Sequence, residues 1–111
     1  MIDRIPREDL KRMMDGNESF ILVDARTEEL YVQEHVKGAL YLPFDRLLES
    51  VQDLPREVPV ITYCTNPNCH ASAVAAEKLK KVGFRKVLEY AGGIEDWKNA
   101  RYPVESGPMP R

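Results

Sequence analysis

The sequence predicts an α/β domain in which a parallel sheet is covered by helices on both faces. The uninterrupted apolar run at residues 20–23 and the mostly apolar segment at residues 58–63 are typical of strands buried on both sides. Segments with helical apolar spacing separate these runs, and strands that alternate with helices favour a parallel sheet. With 111 residues, the chain has the length of one domain with one core.

The first half of the chain predicts two strands and three helices. Residues 6–15 predict a helix that begins at Pro6 and ends at Gly16, since proline suits the first helical turn. Its apolar residues recur at helical spacing: Leu10, Met13 and Met14. After the strand at residues 20–23, Thr27 is expected to cap a short helix that runs to about Glu34.

A brief strand is then predicted at residues 39–42, where Pro43 stops it. Asp45 is expected to cap a helix that carries Leu47, Leu48 and Val51 on one side.

The second half predicts two further strands, at residues 58–63 and 86–90, each followed by a helix. The first of these helices begins near Ala71 and presents an apolar stripe, and Gly83 fits its C-terminal cap. A turn at Gly92 and Gly93 precedes a short final helix. We expect Tyr90 and Trp97 to belong to the core.

Composition excludes several classes of function. Charged residues make up 31% of the chain and the formal net charge is -2, so a nucleic acid is not expected as a main partner. No apolar stretch at the amino terminus is long enough for a signal peptide or a membrane span. We therefore expect a cytoplasmic protein with no membrane partner, in which the pair Cys64 and Cys69 is chemical rather than structural.

Five segments, in this order, resemble the rhodanese domain, a sulfurtransferase module. They cover the chain from about Ile5 to Glu105 and comprise Val23-Asp24-Ala25-Arg26; Glu34-His35-Val36-Lys37-Gly38-Ala39; Val60-Ile61-Thr62-Tyr63-Cys64; Ser72 with Ala75, Ala76 and Leu79; and Gly92-Gly93-Ile94 with Trp97. The resemblance implies a rhodanese-like fold with a mostly parallel five-stranded sheet. It also implies one domain over residues 1–105, and we expect residues 106–111 to form a flexible tail.

The resemblance further implies that Cys64 is a nucleophile that carries sulfane sulfur as a persulfide. The partners would be a small sulfur donor and a thiol acceptor, either a small molecule or a partner protein, and no metal or organic cofactor is required. An ordinary thiol has a pKa near 8.5. The loop amides and the positive end of the following helix are expected to favour the thiolate.

The residues after Cys64 are expected to form the cradle that holds the bound sulfur: Thr65, Asn66, Pro67, Asn68, Cys69, His70, Ala71 and Ser72. Rhodaneses usually carry an arginine just before this serine, and here the position is Ala71. The loop is also about two residues longer than the common form. His70 is a candidate for the missing positive charge, and we expect modest activity with thiosulfate.

Other residues near this site have less specific interpretations. Cys69 is an inert loop residue, a resolving thiol that forms a disulfide with Cys64, or a relay for the persulfide. Asp24 and Arg26 are expected to form an ion pair that fixes the end of a strand, and His35 to be a structural residue. A zinc site is disfavoured because it would require the distant His35 as a fourth ligand.

Two alternative functions remain open at this point. One is a rhodanese-like module without catalytic activity that binds or regulates a partner, since a fold does not determine a function. The other is anion chemistry on phosphate or arsenate, because rhodanese-like domains share a fold with dual-specificity phosphatases. The loops of those phosphatases end in an arginine, which Ala71 is not.

Overall fold

A computed structural model describes residues 2–42 and 44–109 of the protein. Its centre is a five-stranded sheet formed by β1 (Asp3–Arg4), β2 (Ile21–Asp24), β4 (Leu40–Tyr41), β5 (Val60–Tyr63) and β6 (Val87–Tyr90). The strand order is β1-β6-β5-β2-β4, and all four pairings are parallel. A separate antiparallel pair joins β3 (His35–Val36) to β7 (Val104–Glu105). The predicted α/β class with a five-stranded parallel sheet is confirmed.

Within the described residues, five helices connect these strands: α1 (Arg7–Asp15), α2 (Glu28–Gln33), α3 (Leu47–Ser50), α4 (Ala71–Lys81) and α5 (Gly93–Asn99). The cap at Thr27 is as predicted, because its side-chain oxygen accepts a hydrogen bond from the Leu30 amide. Gly83 ends α4 with a positive φ of 103°. Its amide donates to the carbonyl of Lys80, and the Phe84 amide donates to that of Leu79. This pair of bonds is the Schellman arrangement that favours glycine after a helix.

The prediction for the segment after β4 is wrong in two details. Asp45 does not cap the helix, because it lies inside a 3-10 turn (Phe44–Arg46) and α3 begins only at Leu47, with Arg46 at its N-cap. The helix has a single turn, so only Leu47 and Val51, four residues apart, reach the core. Leu48 is 52% exposed. Pro43, the predicted end of the preceding strand, lies outside the described residues.

Alternating side chains of the central strands pack into two apolar clusters, one on each face of the sheet. Leu22 and Ile61 lie in a cluster with residues of α1, α2 and α5, which includes the fully buried Trp97. Val23 and Val60 lie in a second cluster with residues of α3 and α4. Helices therefore cover both faces, as the apolar character of these strand segments predicts.

The carboxyl end of the described chain returns to α2. Ser106 Oγ donates to the carbonyl of Gln33 at 2.9 Å, and the Gly107 amide donates to that of Val32 at 2.8 Å. A flexible tail at residues 106–111 stays a prediction. Among the described residues, no helix has the length and apolar character needed to cross a membrane.

Candidate active site

Cys64 lies directly after β5, at the edge of the sheet where the parallel strands end. This is the edge at which open α/β sheets bind ligands. Cys64 is 3% exposed and borders a pocket of about 560 Å³. The lining comes from the ends of β2, β4 and β5 and from the segments that follow: Ala25, Arg26, Thr27, Leu30, Tyr41, Asp45, Cys64, Thr65, Cys69 and Ala71.

The segment from Cys64 to His70, which we call the Cys64 loop, contains a tight turn built by Asn66. The amide of Cys69 donates to the Asn66 carbonyl at 3.0 Å. The amide of Asn68 donates to Asn66 Oδ1, also at 3.0 Å. Asparagine is favoured in such turns because its side chain accepts from the backbone two residues later. This turn brings Cys69 back to Cys64, and the two are joined by a disulfide with a Cα separation of 6.1 Å.

The start of the Cys64 loop is docked on the first turn of α5. The amide of Ile94 donates to the Cys64 carbonyl at 3.0 Å, and the amide of Glu95 to the Thr65 carbonyl at 3.1 Å. Gly93 permits this contact, because a Cβ atom at this position would lie 2.5 Å from the backbone carbon and oxygen of Thr65. Its φ of 75° also falls in the left-handed region that favours glycine. Gly93 therefore allows α5 to hold the loop in place, which the sequence alone did not indicate.

A buried ion pair lies at the same edge of the sheet, at the end of β2. Asp24 is fully buried, and its carboxylate accepts from Arg26 Nη2 at 2.7 Å, from Arg26 Nε at 3.1 Å and from the Arg26 amide at 2.9 Å. Tyr63 Oη donates to Asp24 at 2.7 Å and accepts from the Val36 amide. Arg26 Nη2 also donates to the Glu34 carbonyl at 2.6 Å. We call Asp24, Arg26 and Tyr63 the Asp24 network.

The hydrogen bonds and charges within the Asp24 network set the protonation states of its members. Burial by itself lowers the pKa of the Arg26 guanidinium, but the hydrogen bond to Asp24 and its negative charge leave that pKa raised overall. Burial, followed by the charge of Asp24, raises the pKa of Tyr63 well above its ordinary value. Tyr63 therefore stays a neutral donor, and the side-chain donors of Arg26 nearest to Asp24 are engaged within the protein.

His35 lies on β3 and makes contacts in the interior. It is 2% exposed, and its ring stacks on that of Tyr31 with a centroid distance of 3.7 Å. Nδ1 donates to the Tyr31 carbonyl at 2.7 Å, and Nε2 lies 3.2 Å from Glu105 Oε2. Glu105 also accepts from the Gly38 amide. His35 does not line the Cys64 pocket.

The residues expected to form a cradle have different surroundings. Within the described residues, the amides of Thr65, Asn66 and His70 make no backbone hydrogen bond, whereas those of Asn68 and Cys69 are engaged in the loop turn. Pro67 and Asn68 are exposed.

The last three residues of the expected cradle, His70, Ala71 and Ser72, lie in three different environments. Ser72 is buried, and its hydroxyl donates to Glu89 Oε2 on β6 at 2.8 Å. His70 is exposed at the N-cap of α4, where its side chain makes no capping hydrogen bond, and it lies outside the pocket lining. Ala71 lines the pocket in the position where the family resemblance expects an arginine.

Sequence reasoning gave no site role to five of the described residues that line the pocket: Ala25, Thr27, Leu30, Tyr41 and Asp45. Tyr41 lies at the end of β4, Leu30 on α2, and Asp45 in the 3-10 turn. The position of Tyr41 at a strand end was a usable signal, since ligands bind beyond the carboxyl ends of parallel strands. Among the described residues, no group of three or more His, Cys, Asp or Glu side chains is placed to hold a metal ion.

Known proteins with similar sequences and structures carry the rhodanese fold. The rhodanese-like domain model matches residues 6–100. A thiosulfate sulfurtransferase of Coxiella burnetii, GlpE, is 34% identical over 84 residues, which are 76% of this chain and 76% of that protein. A sulfurtransferase of Allochromatium vinosum is 29% identical over 94% of this chain and 95% of its own length.

A solved structure agrees with these sequence matches. The crystal structure of protein BH2092 from Bacillus halodurans superimposes with a TM-score of 0.88 and 33% identity, over 94% of this chain and 77% of that one. The strand order, the docked loop after β5 and these matches point to the same assignment, so the chain belongs to the rhodanese-like domain family.

Proposed function

We propose that the protein is a sulfurtransferase or sulfur carrier that moves sulfane sulfur through a persulfide on Cys64. The observation that carries the proposal is the position of Cys64, at the end of β5 and on the border of a pocket at the ligand-binding edge of the sheet. The names of the Coxiella and Allochromatium relatives support this class of reaction. We place the reaction in the cytoplasm, where thiols are kept reduced.

The transfer has two steps, in both of which a thiolate attacks a sulfur atom. The Cys64 thiolate attacks the sulfane sulfur of the donor, a Cys64–sulfur bond forms, and the donor's sulfur bond breaks so that the leaving group takes its electron pair. An acceptor thiolate then attacks the terminal sulfur and releases the Cys64 thiolate. Among the described residues, the amides of Thr65, Asn66 and His70 make no backbone hydrogen bond, and we assign them as the donors that stabilise the terminal sulfur anion.

The pocket favours a donor of low negative charge over the thiosulfate dianion. Arg26 is the one cation among the described residues that line the pocket, and its guanidinium is bound to Asp24. Asp45 contributes a negative charge, and burial, followed by the charges of Glu28 and Asp45, raises the pKa of Tyr41. An alkyl persulfide or a polysulfide with an apolar tail fits these surroundings better than an anion that needs an arginine clamp.

Neither alternative function is favoured by a specific observation. A purely regulatory module would not require a cysteine at the end of β5. Phosphate or arsenate chemistry needs a cation that clamps an oxyanion, and Ala71 occupies the position where phosphatase loops carry that arginine.

The test measures sulfur uptake by the fully reduced protein, using intact mass spectrometry. Immediately after mixing with an alkyl persulfide, Cys64 is expected to carry about 32 Da more, the mass of one sulfur atom. Thiosulfate at the same concentration is expected to load the protein at least about tenfold more slowly, because the described residues of the pocket supply no free cation. The control is Cys64→Ser, which retains the second cysteine and should gain no mass.

Two results would contradict the proposal. Equal loading of the wild type and Cys64→Ser would exclude Cys64 as the carrier. Absence of loading by every donor, together with hydrolysis of an aryl phosphate, would favour the phosphatase alternative.

A further inference from the structure

The Cys64 loop holds a second thiol in bonding contact with the first. The Cα atoms of Cys64 and Cys69 lie 6.1 Å apart, within the range that an ordinary disulfide spans without backbone movement. The Asn66 turn fixes this separation through the amides of Asn68 and Cys69. The approach of the two sulfur atoms is therefore a property of the folded loop.

We propose that Cys69 resolves the Cys64 persulfide and releases its sulfur as hydrosulfide, which gives the protein a second activity as a sulfane-sulfur reductase. This inference rests on the proposed function, since it needs a persulfide on Cys64. It assigns Cys69 the resolving role among those that the sequence leaves open.

The resolving step balances without an external oxidant. The Cys69 thiolate attacks Cys64 Sγ, and a bond forms between the two cysteine sulfurs. The bond from Cys64 Sγ to the terminal sulfur breaks, and the terminal sulfur leaves with the electron pair as HS⁻. Two thiols are thereby oxidised to a disulfide while the sulfane sulfur is reduced. A small dithiol or a dithiol protein then reduces the disulfide by exchange and restores both thiols.

The geometry favours attack on the inner sulfur over relay of the outer one. Cys64 Sγ is the atom that Cys69 Sγ contacts in the folded loop. The terminal sulfur of a persulfide lies one bond farther from Cys64, so transfer to it requires Cys69 to move away from its position in the turn. Attack on Cys64 Sγ instead leads directly to the disulfide that the structure contains.

The exposure of the two cysteines determines which sulfur atom of the disulfide an external reductant attacks. Cys64 is 3% exposed, whereas Cys69 is only partly buried and lies next to the exposed Pro67 and Asn68 in the loop. An external dithiol therefore attacks Cys69 Sγ, forms a mixed disulfide there and releases Cys64 as the free thiolate. The residue that must react with the next donor is regenerated first.

The experiment follows one turnover of the intact protein in the absence of any thiol. Fully reduced protein is loaded anaerobically with an alkyl persulfide, passed through a desalting column, and followed by intact mass and by a sulfide assay. The wild type is expected to lose its added mass of about 32 Da, release one equivalent of sulfide and end about 2 Da below the reduced protein. Cys69→Ser should keep the added sulfur and release sulfide at least about tenfold more slowly, because the attacking thiol is no longer held at the site.

A third variant weakens the loop turn without removing either thiol. Asn66→Ala, which removes the acceptor of the Asn68 amide but keeps both thiols, should release sulfide several-fold more slowly than the wild type. Loading of Cys69→Ser followed by sulfide release at the wild-type rate would overturn the resolving step alone. Failure of Cys69→Ser to gain any sulfur would overturn the proposed function, and the resolving step with it.

Discussion

The Asp24 network and the Cys64 loop lie side by side at one edge of the sheet, but they are stabilised in opposite ways. The Asp24 carboxylate is fully buried and receives hydrogen bonds from Arg26 and Tyr63. The Cys64 loop is bonded at its start to α5 and through Asn66 in its middle, and its tip at Pro67 and Asn68 is exposed. The network therefore fixes the fold, and the loop beside it retains freedom to exchange its sulfur bonds.

The largest expected effect is a loss of stability when the charge of the Asp24 network is removed. In Asp24→Asn the Arg26 guanidinium stays buried without a carboxylate, which typically costs about 3 to 5 kcal/mol. Denaturant unfolding of the reduced protein measures this change. Asp15→Asn is the control, because Asp15 pairs with Lys11 on the surface with 62% of its side chain exposed, and such pairs contribute about 1 kcal/mol or less. An equal decrease in the free energy of unfolding of the two variants would show that the Asp24 network stabilises the fold no more than a surface ion pair does.

A smaller effect is expected from Gly93→Ala, at the contact between α5 and the Cys64 loop. A Cβ atom there would meet the Thr65 backbone at 2.5 Å. Overpacking therefore adds to backbone strain, and the free energy of unfolding is expected to fall by about 2 to 4 kcal/mol. Gly38→Ala is the matched control, since Gly38 has a φ of 83° and nothing within 4 Å of the added Cβ. In Gly38→Ala the free energy of unfolding should fall only by the cost of backbone strain, about 1 to 2 kcal/mol. A larger loss in Gly38→Ala would show that close approach to the loop is not the constraint.

The smallest effect on stability is expected within the Cys64 loop itself. Asn66→Ala removes the acceptor of the Asn68 amide and a 3.3 Å bond to Glu95, at a cost of about 1 kcal/mol. The same change should weaken the Cys64–Cys69 disulfide about fivefold against glutathione, because about 1 kcal/mol corresponds to that factor. Titration in glutathione redox buffers measures it. Asn68→Ala, at an exposed neighbour, should change neither quantity, and an equal change there would argue against the Asn66 turn.

Helices and strands that are long enough to show an apolar pattern were predicted from the sequence, and the shortest strands were not. The apolar runs and helical spacing located β2, β5, α1 and α4 to within about two residues. Two-residue strands such as β1 and β7 have no detectable period, because they exist only through partners that are distant in sequence. The error at Asp45 arises because 3-10 turns are frequent at the termini of α-helices, so the start of a helical pattern does not mark where the α-helix itself begins.

The site was predictable in its residues but only partly in its contacts. The position of Cys64 followed from the apolar run before it, and a pairing of Asp24 with Arg26 was expected from their strand-end position. The bond from Arg26 to the Glu34 carbonyl and the closure of Cys69 on Cys64 depend on the path of the backbone through three-dimensional space. The spacing of the cysteines alone allowed several roles for Cys69.

The pairing of β3 with β7 has a consequence for how the protein reaches this structure. His35 pairs with Glu105, and Asp3 on β1 pairs with Leu88 on β6. Both pairings join residues that are far apart in sequence, and contacts of that kind slow folding because a long stretch of chain must be ordered before they form. During synthesis, β3 stays without its partner until residues 104 and 105 have left the ribosome. Until then the segment after α2 lacks the strand that secures it.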